Sequence, residues 1–122
     1  MAKTVTLSNS VLDALVGNAA FPSYAPIYIA LADDGAEITS GNAARVQVPA
    51  SSWNSASGGS MTNSAAVTFP EGGGDASVDT FLVFDAATNG TVLREGTLNT
   101  GFTWASNVTP EFPIGALTLS ES

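Results

Sequence analysis

The stretch Phe81-Leu82-Val83-Phe84 places large apolar side chains on both faces of an extended chain. In a strand, successive side chains point to opposite faces, so four in a row bury both. A strand of this kind sits inside a sheet, with neighbours on each side, and cannot be an edge. Upstream, Val78 and Thr80 share one face and Asp79 the other. Downstream, Asn89-Gly90 supplies the positive-φ positions of a tight turn. A second strand follows, with Val92, Arg94, Gly96 and Leu98 on one face and Leu93 between Thr91 and Glu95 on the other. The hairpin at 77–98 is therefore expected at the centre of the fold, and the rest of the chain must supply its covers.

Further strands are legible by alternation. Ile27, Ile29 and Leu31 share a face in the run 26–32, and Asp33-Asp34-Gly35 turns the chain after it. The run 44–49 alternates, with Val46 and Val48 inward, Arg45 and Gln47 outward, and Pro49 at its end. Ala65, Val67 and Phe69 share a face in 62–70. A strand with Phe102 and Trp104 is expected in 99–107, and 114–119 closes the fold with Leu117 and Leu119 inward. One helix interrupts this pattern. Val11, Leu12, Leu15 and Val16 recur at helical spacing, so a short helix is expected at 9–17, with Ser10 as cap and Gly17 as terminator. Residues 1–7 then form an extended arm. The expected architecture is all-β: a single antiparallel β-sandwich domain, jelly-roll-like, over 1–122 with one short N-terminal helix.

Composition limits the chemistry. Histidine and cysteine are absent, which removes the commonest general base, the thiolate nucleophile and the usual transition-metal ligands. The net charge of −8 opposes nucleic acid and anionic membranes alike, because binding there requires Lys and Arg. No apolar run is long enough to span a bilayer. Asp33, Asp34 and Glu37 invite a calcium reading, but their spacing is not that of an EF-hand loop, and Asp and Gly are ordinary turn residues. Gly72-Gly73-Gly74 lacks the Lys that a phosphate-binding loop needs. Asp79 and Asp85 share a face six positions apart, about 20 Å and too far for either glycosidase geometry. The expectation is a protein without cofactor, metal or enzymatic activity. With only 11% charged residues, its uncharged polar surface suits packing against neighbours.

Several motifs together resemble a family of small structural proteins of tailed bacteriophages, labelled tail-fibre, minor tail or capsid-associated. They are Ala44-Arg45-Val46-Gln47-Val48, Asn63-Ser64-Ala65-Ala66-Val67-Thr68-Phe69-Pro70, Phe84-Asp85-Ala86-Ala87-Thr88-Asn89-Gly90 and Phe112-Pro113-Ile114-Gly115-Ala116-Leu117. The stretch at 27–32 is similar too. The resemblance implies a virion structural protein, made in the bacterial host, with no catalytic residues. Its expected station is on the outer capsid shell, as a decoration or cement protein. Its partners would be the major capsid protein and neighbouring copies of itself, in a homo-oligomeric arrangement. The alternative is a tail- or fibre-associated module that binds host glycan through exposed aromatics such as Trp53 or Trp104. Candidate contacts are Lys3, Thr4 and Val5 in the arm, Trp53 in the 50–61 loop, and Gly72, Gly73 and Gly74.

Overall fold

The structure is a computed structural model that describes residues 2–22, 24, 26–39, 43–72 and 76–120. Ten strands and one α-helix follow in order: β1 (Ala2–Lys3), α1 (Val5–Leu15), β2 (Ile27–Asp33), β3 (Ala36–Glu37), β4 (Val46–Val48), β5 (Ser60–Thr62), β6 (Val67–Thr68), β7 (Ser77–Phe84), β8 (Val92–Thr103), β9 (Glu111–Phe112) and β10 (Thr118–Ser120). A 3-10 turn, Ala50–Ser52, lies between β4 and β5.

The main sheet runs β1-β8-β7-β2, with β3 and β4 sharing the far edge of β2, and every pairing is antiparallel. As the apolar run demands, β7 is internal, between β2 and β8. Its turn contains Asn89 and Gly90 at φ +55° and +75°. The loop is closed by Asp85, whose Oδ1 accepts from the Thr91 amide at 2.7 Å. β8 continues without a break to Thr103, so the separate strand expected at 99–107 is its extension. A register shift between Val78 and Thr80 absorbs the extra residues of β8, as a bulge does.

The two faces of this sheet are buried by different means. Ile29, Leu31, Phe81, Val83 and Leu93 look into the principal core. Opposite them stands a second layer made of two short ladders, β5–β10 and β6–β9, joined by α1. Phe69, Trp104 and Phe112 fill this layer, with Phe69 edge-on to both of the other rings at 6.1 and 5.7 Å. This is the antiparallel sandwich expected from the sequence. The other face carries Ala30, Ala32, Leu82 and Phe84, with Tyr28 and Val92 beside them. Among the described residues, no second layer of strands covers it. Arg45 lies flat on Phe84, with its guanidinium carbon 3.4 Å from the ring centroid. It pairs with Glu37 at 2.8 Å and donates to the carbonyls of Ala86 and Asn89. The alternation at 44–49 puts Arg45 on the face away from the main core, as expected. It is not solvated there, because a cation above an aromatic ring with four fixed acceptors is better placed than in water.

Asn63 is fully buried and ties the second layer together. Its Oδ1 accepts from the Leu117 amide at 2.9 Å. Its Nδ2 donates to the carbonyls of Ala65 at 2.9 Å, Pro113 at 3.0 Å and, more weakly, Phe112 at 3.4 Å.

The helix departs from expectation. It begins at Val5, so only Ala2 and Lys3 remain extended, paired with Glu95 and Arg94 of β8. The cap is Thr4, not Ser10. The Thr4 side chain accepts from the Leu7 amide, while its own amide and hydroxyl both donate to the Leu93 carbonyl. Ser10 instead faces the Thr6 carbonyl and the Tyr24 hydroxyl from within the helix. Asp13 falls in the last part of the helix. Gly17 terminates the helix as expected. At φ +76° its amide donates to Ala14 O while the Asn18 amide reaches Asp13 O, the pairing of a Schellman motif.

Candidate docking face

Only the inner side of α1 is spent on the fold. Leu7 is buried and Val11 half-buried against the core, and the Ser10–Tyr24 contact holds the following loop to the helix. The outer side carries Val5, Leu12, Leu15 and Val16, which remain 59–77% exposed. Positions 5, 12 and 16 line up along one helical stripe, with Leu15 beside Leu12. Phe21, half exposed, extends this surface from the loop, its ring edge-on to Tyr24 at 5.6 Å. Scattered apolar residues on a surface are ordinary, whereas these lie together on one short helix.

Beside the helix, two clefts of about 350 and 540 Å³ share Ile27, Met61 and Leu119. The larger is bounded by Leu7, Val11, Phe21 and Tyr24 on the helix side, and the smaller by Val48 and Trp53. The Trp53 indole N–H is buried with no hydrogen-bond acceptor. Apart from Asn54 and Arg94 the rest of the lining is aliphatic or small and holds no carboxylate, so this face can bury apolar surface. Among the described residues, no group of three acidic side chains has the arrangement to hold a metal ion. The Asp33-Asp34-Gly35 stretch instead forms the β2–β3 turn. Asp34 and Gly35 have φ of +49° and +82°, and their amides donate to Asp79 Oδ1 and Thr80 Oγ1.

The expected contact residues separate into distinct roles. Val5 lies on the apolar stripe. Thr4 caps the helix, and Lys3 stands opposite Arg94 in the β1–β8 ladder. Trp53 walls the smaller cleft, on the far side of Ile27 and Met61 from the helix. Gly72 is buried: a Cβ there would stand 2.4 Å from the Ala105 carbonyl and 2.8 Å from the Trp104 ring. Its absent side chain makes room for a core contact. Gly73 and Gly74 lie outside the described residues. Trp104 is 2% exposed, with its indole N–H donating to the Pro70 carbonyl at 3.1 Å. It is a core residue and offers no face to a sugar, so the exposed pair of indoles expected of a glycan platform is not formed. The helical spacing groups Val11, Leu12, Leu15 and Val16 together and does not separate the half-buried Val11 from the three exposed residues. A helix that starts at Val5 takes in Leu7, which with Val11 one turn on covers the core and leaves the others outside, and the Thr4 cap is the signal that could have shown it.

Fold and face together describe a small β-rich module with an exposed apolar helix surface. The family model of the Podophage GP4 fiber I protein gp80 matches residues 2–120, and the chain belongs to that family. It is thus a structural component of a tailed-phage virion. A search of the curated proteins returns no match.

Proposed function

We propose that the chain is a non-catalytic assembly module of a phage fibre, held in place by burial of the α1 stripe and the adjoining cleft against neighbouring virion protein. The observation that carries this reading is the exposed set Val5, Leu12, Leu15 and Val16 on a helix whose other side is anchored to the sheet. The family description, which names a fibre, supports the fibre over the capsid shell. The burial of Trp104 turns the reading away from sugar binding by paired indoles and towards protein–protein contact.

The test is copy number per particle, by quantitative mass spectrometry of purified virions against the major capsid protein. A fibre component is expected far below the shell subunits. A number equal to theirs would restore a decoration role on the capsid, with the major capsid protein as partner. Absence from particles would overturn both.

A further inference from the structure

We propose that Asn89-Gly90 is a site of spontaneous covalent modification: succinimide formation followed by hydrolysis to isoaspartate and aspartate, at a pace set by Arg45. The inference is independent of what docks on α1.

Sequence and surface single out this pair. Among the asparagines of the chain, Asn89 alone is followed by glycine. Glycine has no Cβ, so its nitrogen approaches the preceding side chain with the least hindrance. Both residues are exposed. Among the described residues, neither the Asn89 side-chain amide nor the Gly90 N–H is engaged in a hydrogen bond. The reacting atoms are therefore unencumbered. Gly90 N attacks Asn89 Cγ, and the new C–N bond closes a five-membered ring. The side-chain nitrogen leaves as ammonia, taking up the proton that Gly90 N gives up. Water then opens the ring at either carbonyl. One water enters, one ammonia departs, and nothing is oxidised or reduced.

The folded turn opposes that closure. Asn89 stands in the left-handed region at φ +55°, where ψ is about +30 to +60°. That rotation directs Gly90 N to the side of the backbone away from the Asn89 Cβ, so the turn must open before the ring can form. Arg45 resists the opening. Its Nη1 donates to Asn89 O at 2.7 Å and to Ala86 O at 2.9 Å, tying the two together across the loop. The guanidinium is itself pinned by Glu37 at 2.8 and 3.0 Å and lies on the Phe84 ring. Once complete, the change is one-way. Hydrolysis to isoaspartate reroutes the main chain through the former side chain, adding a methylene, and gives a carboxylate to a chain of net charge −8. The lengthened loop no longer fits between Asp85 and Thr91, whose two mutual bonds close it. The modified fraction thus records the time this turn has spent open.

The test uses the whole chain, held folded at mildly alkaline pH over several weeks. Peptide mass spectrometry with electron-transfer fragmentation locates the gain in mass, and an isoaspartyl methyltransferase counts the isoaspartate. Conversion is expected at Asn89 before any other asparagine, and on the order of tenfold faster or more in urea. Arg45→Gln is expected to speed conversion in the folded chain by on the order of tenfold, the worth of a hydrogen bond from a charged donor. Glu37→Gln, which loosens the guanidinium without touching the loop, is expected to speed it less, and it carries the test if the first variant does not fold. Asn63→Ala lowers global stability away from the loop and is expected to leave the rate within about twofold of wild type. Four results would each overturn the proposal: an Asn89 that does not convert in the folded chain, another asparagine converting first, a rate unmoved by both loop-lock variants, or Asn63→Ala accelerating conversion as much as Arg45→Gln. The last would make global unfolding the gate in place of the turn.

Discussion

Replacing Asn63 by alanine removes one acceptor and two donors from a site that water cannot reach. The Leu117 amide loses its partner, and an unsatisfied buried N–H costs about 1–3 kcal/mol. The carbonyls of Ala65 and Pro113 lose donors at 2.9 and 3.0 Å, at about 1 kcal/mol each, and the 3.4 Å contact to Phe112 adds less. The backbone bonds from Asn63 N to Leu117 O and from Gly115 N to Asn63 O remain, so the loss is confined to the side chain. The expected total is about 3 kcal/mol. With an unfolding entropy near 2.1 cal/mol/K per residue, a chain of this length melts about 4 °C lower for each kcal/mol, or about 12 °C in all. Urea titration followed by circular dichroism measures the free energy, and a thermal scan measures the shift. Asn54→Ala is the control. Its amide bonds Thr62 Oγ1 at an exposed position, and its loss should stay below about 0.5 kcal/mol. A loss under about 1 kcal/mol for Asn63→Ala would refute the view that this side chain holds the second layer together.

Two further substitutions probe the core. Gly96→Ala should cost about 1–3 kcal/mol in the same urea titration, since its Cβ would stand 2.2 Å from Phe81 Cζ and the ring sits in a packed core; an unchanged midpoint would show that the ring moves freely. The two tryptophans should separate cleanly. Trp104→Phe gives up the bond to Pro70 and core volume, for about 2 kcal/mol or more, whereas Trp53→Phe removes an N–H that has no acceptor and should be close to neutral. Equal losses at the two positions would contradict the assignment.

Sequence alone disclosed those parts of the fold whose physics is local. Gly17 and Asn89-Gly90 announce themselves because few residues accept a positive φ, and Phe81–Phe84 because no edge strand tolerates two apolar faces. What stayed hidden depends on partners far away in the chain. Thr4 reads as an arm residue until the Leu93 carbonyl, 89 positions on, fixes it as a helix cap. Arg45 reads as solvated until Phe84, Glu37, Ala86 and Asn89 converge on it. Asn63 sits in a small polar segment with nothing local to mark its four partners. The exposed stripe stayed hidden for a related reason: a helix begun at Ser10 omits Leu7, whose burial one turn before Val11 marks the inner side.

The arrangement of the main sheet also sets an order of events during synthesis. β2 leaves the ribosome well before β7, its neighbour in the sheet, and the partner residues lie roughly fifty positions apart. β7 and β8, by contrast, are adjacent and joined by a turn of favourable chemistry, so they can pair as soon as both are made. Until then β2 has only its short pairings with β3 and β4, so Ile29 and Leu31 lack the central strand beside them, and the β1–β8 closure that anchors α1 through Leu93 cannot form. The helix and first long strand thus wait as nascent, sticky segments while the chain grows. Neighbouring chains on one messenger pass through that stage together, when stray association is easiest.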